Sequence, residues 1–388
     1  MILQHQPPLH LTYCMNIHAG ETWAENLAAI REKAARVKQF VAPDGWFGLG
    51  LRLSAQAAAD LAGDAALRND ALDAFAEHAL YPFSVNAFPY GQFHAGPVKE
   101  NVYAPDWRSA ARRDYTMQVA DILAGWLPEG VDGSISTVPG SFKEFITTED
   151  QHRLIRSNIF RCVEHAARVT ERTGRRLHFG LEPEPLGYLE TTDETVRFFE
   201  RIRSEHPSDP RLREILGVNY DSCHLAVEYE NPADSLARLR QHGIKISKLH
   251  LSSALKLRPT PENRTRLAAF ADDTYLHQVV SRAAEGKLTR YKDLNVALAD
   301  SKTLTEEWRV HFHIPLHSPP VAGFDNTTDH LCGVLDVLQS DPHLCSHLEM
   351  ETYTWEVMPA EMKSGNVVDQ LSAEYEWCLR ELKGRGLA

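Results

Sequence analysis

Gly217-Val218-Asn219-Tyr220-Asp221-Ser222-Cys223-His224 is a short apolar run that ends in an acid and, three residues on, a histidine. It reads as a buried β-strand carrying a carboxylate to its C-terminal end. A lone charge there is costly to bury, so Asp221 needs a partner. A divalent cation would serve, because a turn over Ser222 and Cys223 can swing the His224 imidazole back toward the same mouth. Carboxylate oxygen with imidazole nitrogen suits Zn, Mn, Fe or Co better than Ca. Taken alone, the pair reads more readily as a helix-capping Asp beside a surface His.

The neighbouring runs decide between these. Upstream, Leu177-His178-Phe179-Gly180-Leu181-Glu182-Pro183-Glu184-Pro185 is apolar until it meets two glutamates. Downstream, Ile246-Ser247-Lys248-Leu249-His250-Leu251-Ser252-Ser253 sets His250 on another short run. A helical segment separates each run from the next. Strand and helix alternating, with chemistry at the C-terminal end of successive strands, is the pattern of an α/β fold, the (β/α)8 TIM barrel.

Size and composition agree with one large barrel over residues 1–388. The apolar share of 43% can fill a core, and no run approaches the roughly 20 apolar residues of a membrane span. The opening Met1-Ile2-Leu3-Gln4-His5-Gln6 lacks the charged region and apolar stretch of a secretory signal, so a cytoplasmic location is expected. Six scattered cysteines form no disulfide framework, and a net charge of −12 argues against a broad grip on nucleic acid. A small-molecule metabolite is the expected partner.

Along the chain, a first strand at 11–17 delivers His18, and Thr22-Trp23-Ala24-Glu25 has capping-box spacing. Further strands are expected at 45–54, 83–88 and 133–138, with helices at 55–80 and 110–126. The long loop 89–107 carries His94 and Lys99, and loops of that length tend to be functional. Between 256 and about 309 the βα alternation fails. Runs 278–282 and 287–291, separated by Ala-Ala-Glu-Gly, predict a β-hairpin inserted over the barrel mouth.

That leaves nine strand candidates for eight positions. The run His347-Leu348-Glu349-Met350-Glu351 is taken as the closing strand, and the His311-Phe312-His313 run as a return into the mouth. Glu349 and Glu351 share a face, since side chains alternate along a strand, and Glu351 lies nearer the end where barrel sites sit.

At these residues the sequence resembles the xylose-isomerase-like barrel superfamily, which includes sugar isomerases and epimerases and the endonuclease IV type of repair enzyme. The resemblance implies a divalent-metal site on Glu182, Asp221, His250 and Glu351, with Glu182, Glu351 and His224 in catalytic roles. It also implies a second metal or substrate contact among His224, His311 and His313, and Glu349 by its strand face and His18 and His94 by following early strands are further candidates for that contact. The nuclease branch has a His-Pro-Gly where this chain has Val138-Pro139-Gly140, which counts against a full three-metal site.

More narrowly, Tyr13-Cys14, Asn16-Ile17-His18, the Leu-Glu-Pro-Glu-Pro run and Glu351-Thr352-Tyr353-Thr354-Trp355 resemble the Ebo-type metabolite traffic proteins, implying a role in handling secondary-metabolite precursors. Three functions are therefore expected to compete: an isomerase or epimerase of a small hydroxycarbonyl metabolite, a metal-dependent phosphoester hydrolase, and a non-catalytic metabolite carrier. Lys99, Lys248 and Arg52 would either bind an anionic substrate or neutralise the acids.

Overall fold

The computed structural model describes residues 1–388 except 95, 304, 321–322, 359–362 and 364. Strand β1 (Ile2–Leu3) pairs antiparallel with β2 (Leu9–Tyr13) at the rim. The barrel then runs through β3 (Phe47–Arg52), β4 (Leu80–Asn86), β5 (Gly133–Thr137), β6 (Leu177–Leu181), β7 (Leu216–Asp221) and β8 (Lys245–Leu251). The closing strand is β14 (His347–Met350), which pairs in parallel with both β8 and β2. Every one of these strands except the rim strand β1 is buried nearly throughout, as strands covered on both faces must be. The fold is an α/β TIM barrel.

The seam between β2 and β3 is a single parallel bridge, Cys14 to Gly50. Gly50 is required there: a Cβ would sit 2.7 Å from the Tyr13 carbonyl and 2.8 Å from the Glu349 carboxylate. The first strand stops earlier than expected, because Ile17 and His18 donate back to Cys14 and Met15 in a tight turn. The third barrel strand likewise ends at Asn86, whose side-chain oxygen accepts from the Phe88 amide.

Outside, amphipathic helices cover the barrel. The helix Glu149–Thr173 opens on the expected capping box, Thr148 with Gln151, and turns Ile155, Ile159, Cys162, Val163, Ala166 and Val169 inward. Thr22 with Glu25 caps Trp23–Ala29 in the same way. Among the described residues no helix is long and apolar enough to cross a membrane.

Over the mouth lies a second, antiparallel sheet. The expected hairpin is β10 (Val279–Arg282) with β11 (Leu288–Tyr291). Three more strands join it: β9 (Ala254–Leu257), β12 (Glu307–His313) and β13 (Asp325–Asn326), in the order β11-β10-β12-β9-β13. The insertion is thus wider than 256–309. The expected His311-Phe312-His313 run lies in β12, whose alternation is visible in the sequence but whose partners are not: it pairs with β9 and β10 rather than with the barrel.

Candidate metal centre

Strand ends position the four acids and bases. Glu182 directly follows β6, Asp221 ends β7, His250 lies one residue short of the end of β8, and Glu351 directly follows β14. One ligand atom from each of these four lies within 4.8 Å of the other three, and all four residues are buried. His250 Nδ1 stands 3.0 Å from Glu182 Oε1, 3.3 Å from Asp221 Oδ2 and 2.9 Å from Glu351 Oε2.

Each carboxylate beyond Glu182 spends one oxygen on the protein and turns the other inward. Asp221 Oδ1 caps the helix Ser222–Val227, accepting from the amides of Cys223 (2.7 Å) and His224 (3.1 Å) and from Ser252 Oγ (2.6 Å). The helix cap expected of Asp221 is therefore present, while His224 is buried and not at the surface. Glu351 Oε1 accepts from Asn16 Nδ2 at 2.7 Å and Asn86 Nδ2 at 3.2 Å. Glu182 Oε2 is buried with no hydrogen bond among the described residues. Three carboxylates whose inward oxygens converge on one imidazole, none paired with Lys or Arg, fit a divalent cation.

The electrostatics of the set point the same way. Burial alone would raise the Asp221 carboxyl, but His224, His250 and His313 hold it well below the ordinary carboxylate range. Burial works against the protonated His250 ring, yet Glu351 and Glu182 push its pKa well above the usual value.

A second layer stands above. Burial lowers His224 to about 4 against the pull of Asp221, so its ring is neutral. His224 Nδ1 donates to the Pro183 carbonyl at 3.1 Å, and His313 Nδ1 to the Glu351 carbonyl at 3.0 Å. His311 Nδ1 donates to Gln278 Oε1 at 2.8 Å, an orientation fixed by Gln278 Nε2 donating to the Pro185 carbonyl. With each Nδ1 donating outward, the Nε2 atoms of His311 and His313 face each other at 3.3 Å. Asp221, His224 and His313 form one ligand-capable group, and Glu184, His224 and His311 another.

The remaining expected residues lie elsewhere. Glu349 does not line the cavity; it sits below His250 and pairs with Lys248. His18 is turned onto the Tyr13 hydroxyl at 2.9 Å, and His94 onto the Asn16 carbonyl at 2.6 Å. Both histidines follow strand ends, yet local turns aim them away. Conversely, Asn86, Tyr103 and Gln278 line the cavity without having been singled out, and Asn16 and Tyr353 do so though they entered only through the Ebo-type resemblance. Asn86, a polar residue closing an apolar strand, carried the one usable signal.

This TIM barrel, with its candidate site at the C-terminal strand ends, is similar in fold to several solved barrels. Among solved structures it resembles a xylose isomerase-like TIM barrel protein from Mycobacterium smegmatis in complex with magnesium, at 11% identity and TM-score 0.53 over 98% of both chains. It also resembles D-allulose 3-epimerase from Methylomonas sp. in complex with D-allulose, at 11% identity and TM-score 0.51 over 96% of both. A D-tagatose 3-epimerase-like protein matches at 11% identity and TM-score 0.50, over 97% of this chain and 98% of that one. No protein-family model and no curated protein sequence matches the chain. The neighbours support the barrel fold and lend nothing to the narrower Ebo-type resemblance.

Proposed function

We propose that this protein is a divalent-metal isomerase or epimerase of a small hydroxycarbonyl metabolite. The carrying observation is the convergence of buried Glu182, Asp221 and Glu351 oxygens on the His250 ring, with no Lys or Arg among the described residues paired to them. Those four would hold the ion, and their mixed oxygen and nitrogen set suits Mn, Co, Fe or Zn. A bound divalent cation stabilises the negative charge that develops on adjacent oxygens during enolisation.

The chain's own groups supply the rest. Glu182 and Glu351 both line the cavity, from strand ends separated by β7 and β8, so one can take a proton from carbon and the other return it. His224, with Nδ1 donating to Pro183, presents Nε2 to a substrate hydroxyl. The neighbours named as ketose epimerases are consistent with this reading; the secondary-metabolite setting rests on the Ebo-type resemblance alone.

The test is proton exchange. Manganese-loaded protein incubated in D2O with free ketohexoses, D-allulose included, should wash deuterium into the carbon beside the carbonyl. Glu182→Gln should abolish the exchange with the fold intact by circular dichroism. Unchanged exchange in that variant would remove the mechanism, and tight binding with no exchange would favour a carrier.

The facing Nε2 atoms of His311 and His313 favour one alternative, a two-ion phosphoester hydrolase in which His224, His311 and His313 hold a second cation. Metal stoichiometry separates the two: one ion per chain supports isomerisation, and two support hydrolysis.

A further inference from the structure

Beside the histidines above the centre stands a thiol that the mechanism leaves unused. Cys223 follows Asp221 in the helix Ser222–Val227, is fully buried and forms no disulfide. Its amide donates to Asp221 Oδ1 at 2.7 Å and to Ser252 Oγ at 2.9 Å, so two acceptors fix where the residue stands. His311 and His313 reach the same point from β12, and one ligand atom from each of the three lies within 4.8 Å of the other two. This group shares no residue with the set of Glu182, Asp221, His250 and Glu351.

The two imidazoles are set to take a cation. His313 Nδ1 faces the Glu351 carbonyl at 3.0 Å, and His311 Nδ1 faces Gln278 Oε1 at 2.8 Å. Such oxygens only accept, so both rings donate from Nδ1, and in a neutral ring that leaves Nε2 as the acceptor. Two acceptors 3.3 Å apart need positive charge between them. A proton on one ring would serve that pair alone, whereas a metal ion serves the pair and the thiol together. Imidazole with thiolate selects zinc, while manganese prefers oxygen ligands. With the centre loaded, its three carboxylates exceed one divalent ion by one negative charge, which a zinc–thiolate unit offsets where water cannot.

We infer that Cys223, His311 and His313 form a zinc site separate from the four-residue centre, stapling β12 of the insertion to the helix that follows β7. Cys223 gives up its thiol proton to water as the ion binds, and three protein ligands leave a tetrahedral ion one further position. The site stands without the isomerase reading, since the two share no ligand. It differs from the histidine-only second ion of the hydrolase alternative in its sulfur. With His311 and His313 on zinc, His224 is the imidazole left for a substrate hydroxyl. The ion count that separates isomerisation from hydrolysis is accordingly made with manganese, which binds thiolate weakly.

Sulfur is the readout. Metal-stripped protein is loaded with one equivalent of manganese and then titrated with cobalt. A strong near-ultraviolet sulfur-to-cobalt absorption should appear and saturate at one cobalt per chain, with the manganese retained by electron paramagnetic resonance. Cys223→Ser should erase that absorption and weaken zinc at this site roughly a hundredfold. Manganese affinity should stay within about threefold in the same variant, which reports an intact centre. On the unaltered protein, where no variant has to fold, zinc added in place of cobalt should show one sulfur neighbour at about 2.3 Å by X-ray absorption. Zinc should also slow amide exchange in β12 about tenfold, and not in Cys223→Ser. A second ion held by nitrogen and oxygen alone, or cobalt and zinc that only displace manganese, would overturn the thiolate site and leave the centre standing. The sulfur absorption in protein that binds no manganese would support this site and sink the isomerase reading.

Discussion

Lys248 Nζ lies 3.2 Å from Glu349 Oε2 inside the barrel, with neither side chain exposed to water. The ammonium also donates to Ser84 Oγ and Ser136 Oγ, each at 3.1 Å. Glu349 Oε1 in turn stands 3.5 Å from His250 Nε2, on the far side of the ring whose Nδ1 meets the three carboxylates. The pair follows from register: His250 on β8 is the lateral partner of Glu349 on β14, and Lys248 shares the inward face of β8 two residues earlier.

A buried pair broken from one side leaves a bare charge. Lys248→Met strands Glu349 and should cost about 3–5 kcal/mol of stability in urea denaturation of the metal-free protein. Removing both charges with Lys248→Met and Glu349→Leu should recover most of that loss, because the desolvation penalty goes with the pair. The double variant should still bind manganese about tenfold more weakly, since Glu349 no longer orients His250. A double variant as unstable as the single one would show that the pair is not what balances charge there.

Asp221 holds two jobs on two oxygens, and they can be separated. Asp221→Asn keeps an acceptor for the Cys223 and His224 amides while removing the charged oxygen that faces the centre. It should lower manganese affinity by about a hundredfold with stability changed by less than about 1 kcal/mol. Asp221→Ala should lose the cap as well, adding about 1 kcal/mol of destabilisation. Metal titration and denaturation on the same two variants check this, and equal stability for both would remove the capping role.

The four central residues were legible because barrel chemistry sits at strand ends, and each of the four follows or closes an apolar run whose period marks it as a strand. The second layer was half legible. His311 and His313 share a face by alternation, but that Gln278 orients one of them depends on β10 pairing with β12, which no local pattern announces. Loop residues such as Tyr103 have no period at all, and Tyr103 reaches the cavity only because residues 98–99 are tied to the Thr274 carbonyl 175 positions away from Lys99. His18 and His94 mark the converse limit: position at a strand end fixes where a residue starts, and the following turn fixes where it points.

Glu374, on the helix Val367–Gly384, gives the stability a definite pH dependence. Its Oε1 accepts from Leu316 N at 3.1 Å and Thr352 Oγ1 at 2.7 Å, while Oε2 makes no hydrogen bond among the described residues. Burial pushes its carboxyl from 4.5 up to about 7, against those donors, which favour the charged form. The folded protein therefore keeps a proton that the unfolded chain has released. The resulting stabilisation is complete below about pH 4.5 and is lost as pH rises through 7, roughly 3 kcal/mol in all. Glu374→Gln mimics the protonated acid, so its stability relative to wild type should climb by about 3 kcal/mol across that window. Urea denaturation at fixed ionic strength reads the difference, and a flat difference would contradict the assignment.

Lys99 ties the loop of residues 88–107 to the insertion. Its backbone is in the left-handed region at φ 43°, a costly conformation for a side chain of this size, and both its amide and that of Val98 donate to the Thr274 carbonyl at 2.8 Å. The ammonium adds its three bonds to Asp272, Tyr275 and Asp293. Lys99→Met keeps the stem and the strained backbone but drops every charge-assisted bond, each worth about 1.5–3 kcal/mol when intact. The tie concerns only the roof of the cavity, so barrel strands should keep their amide protection while residues 272–278 exchange roughly tenfold to a hundredfold faster. Hydrogen exchange by mass spectrometry resolves the two regions. Equal acceleration in β6, β7 and β8 would mean that Lys99 supports the whole fold, and no acceleration at all would mean that the insertion is held to the barrel by its sheet contacts without this side chain.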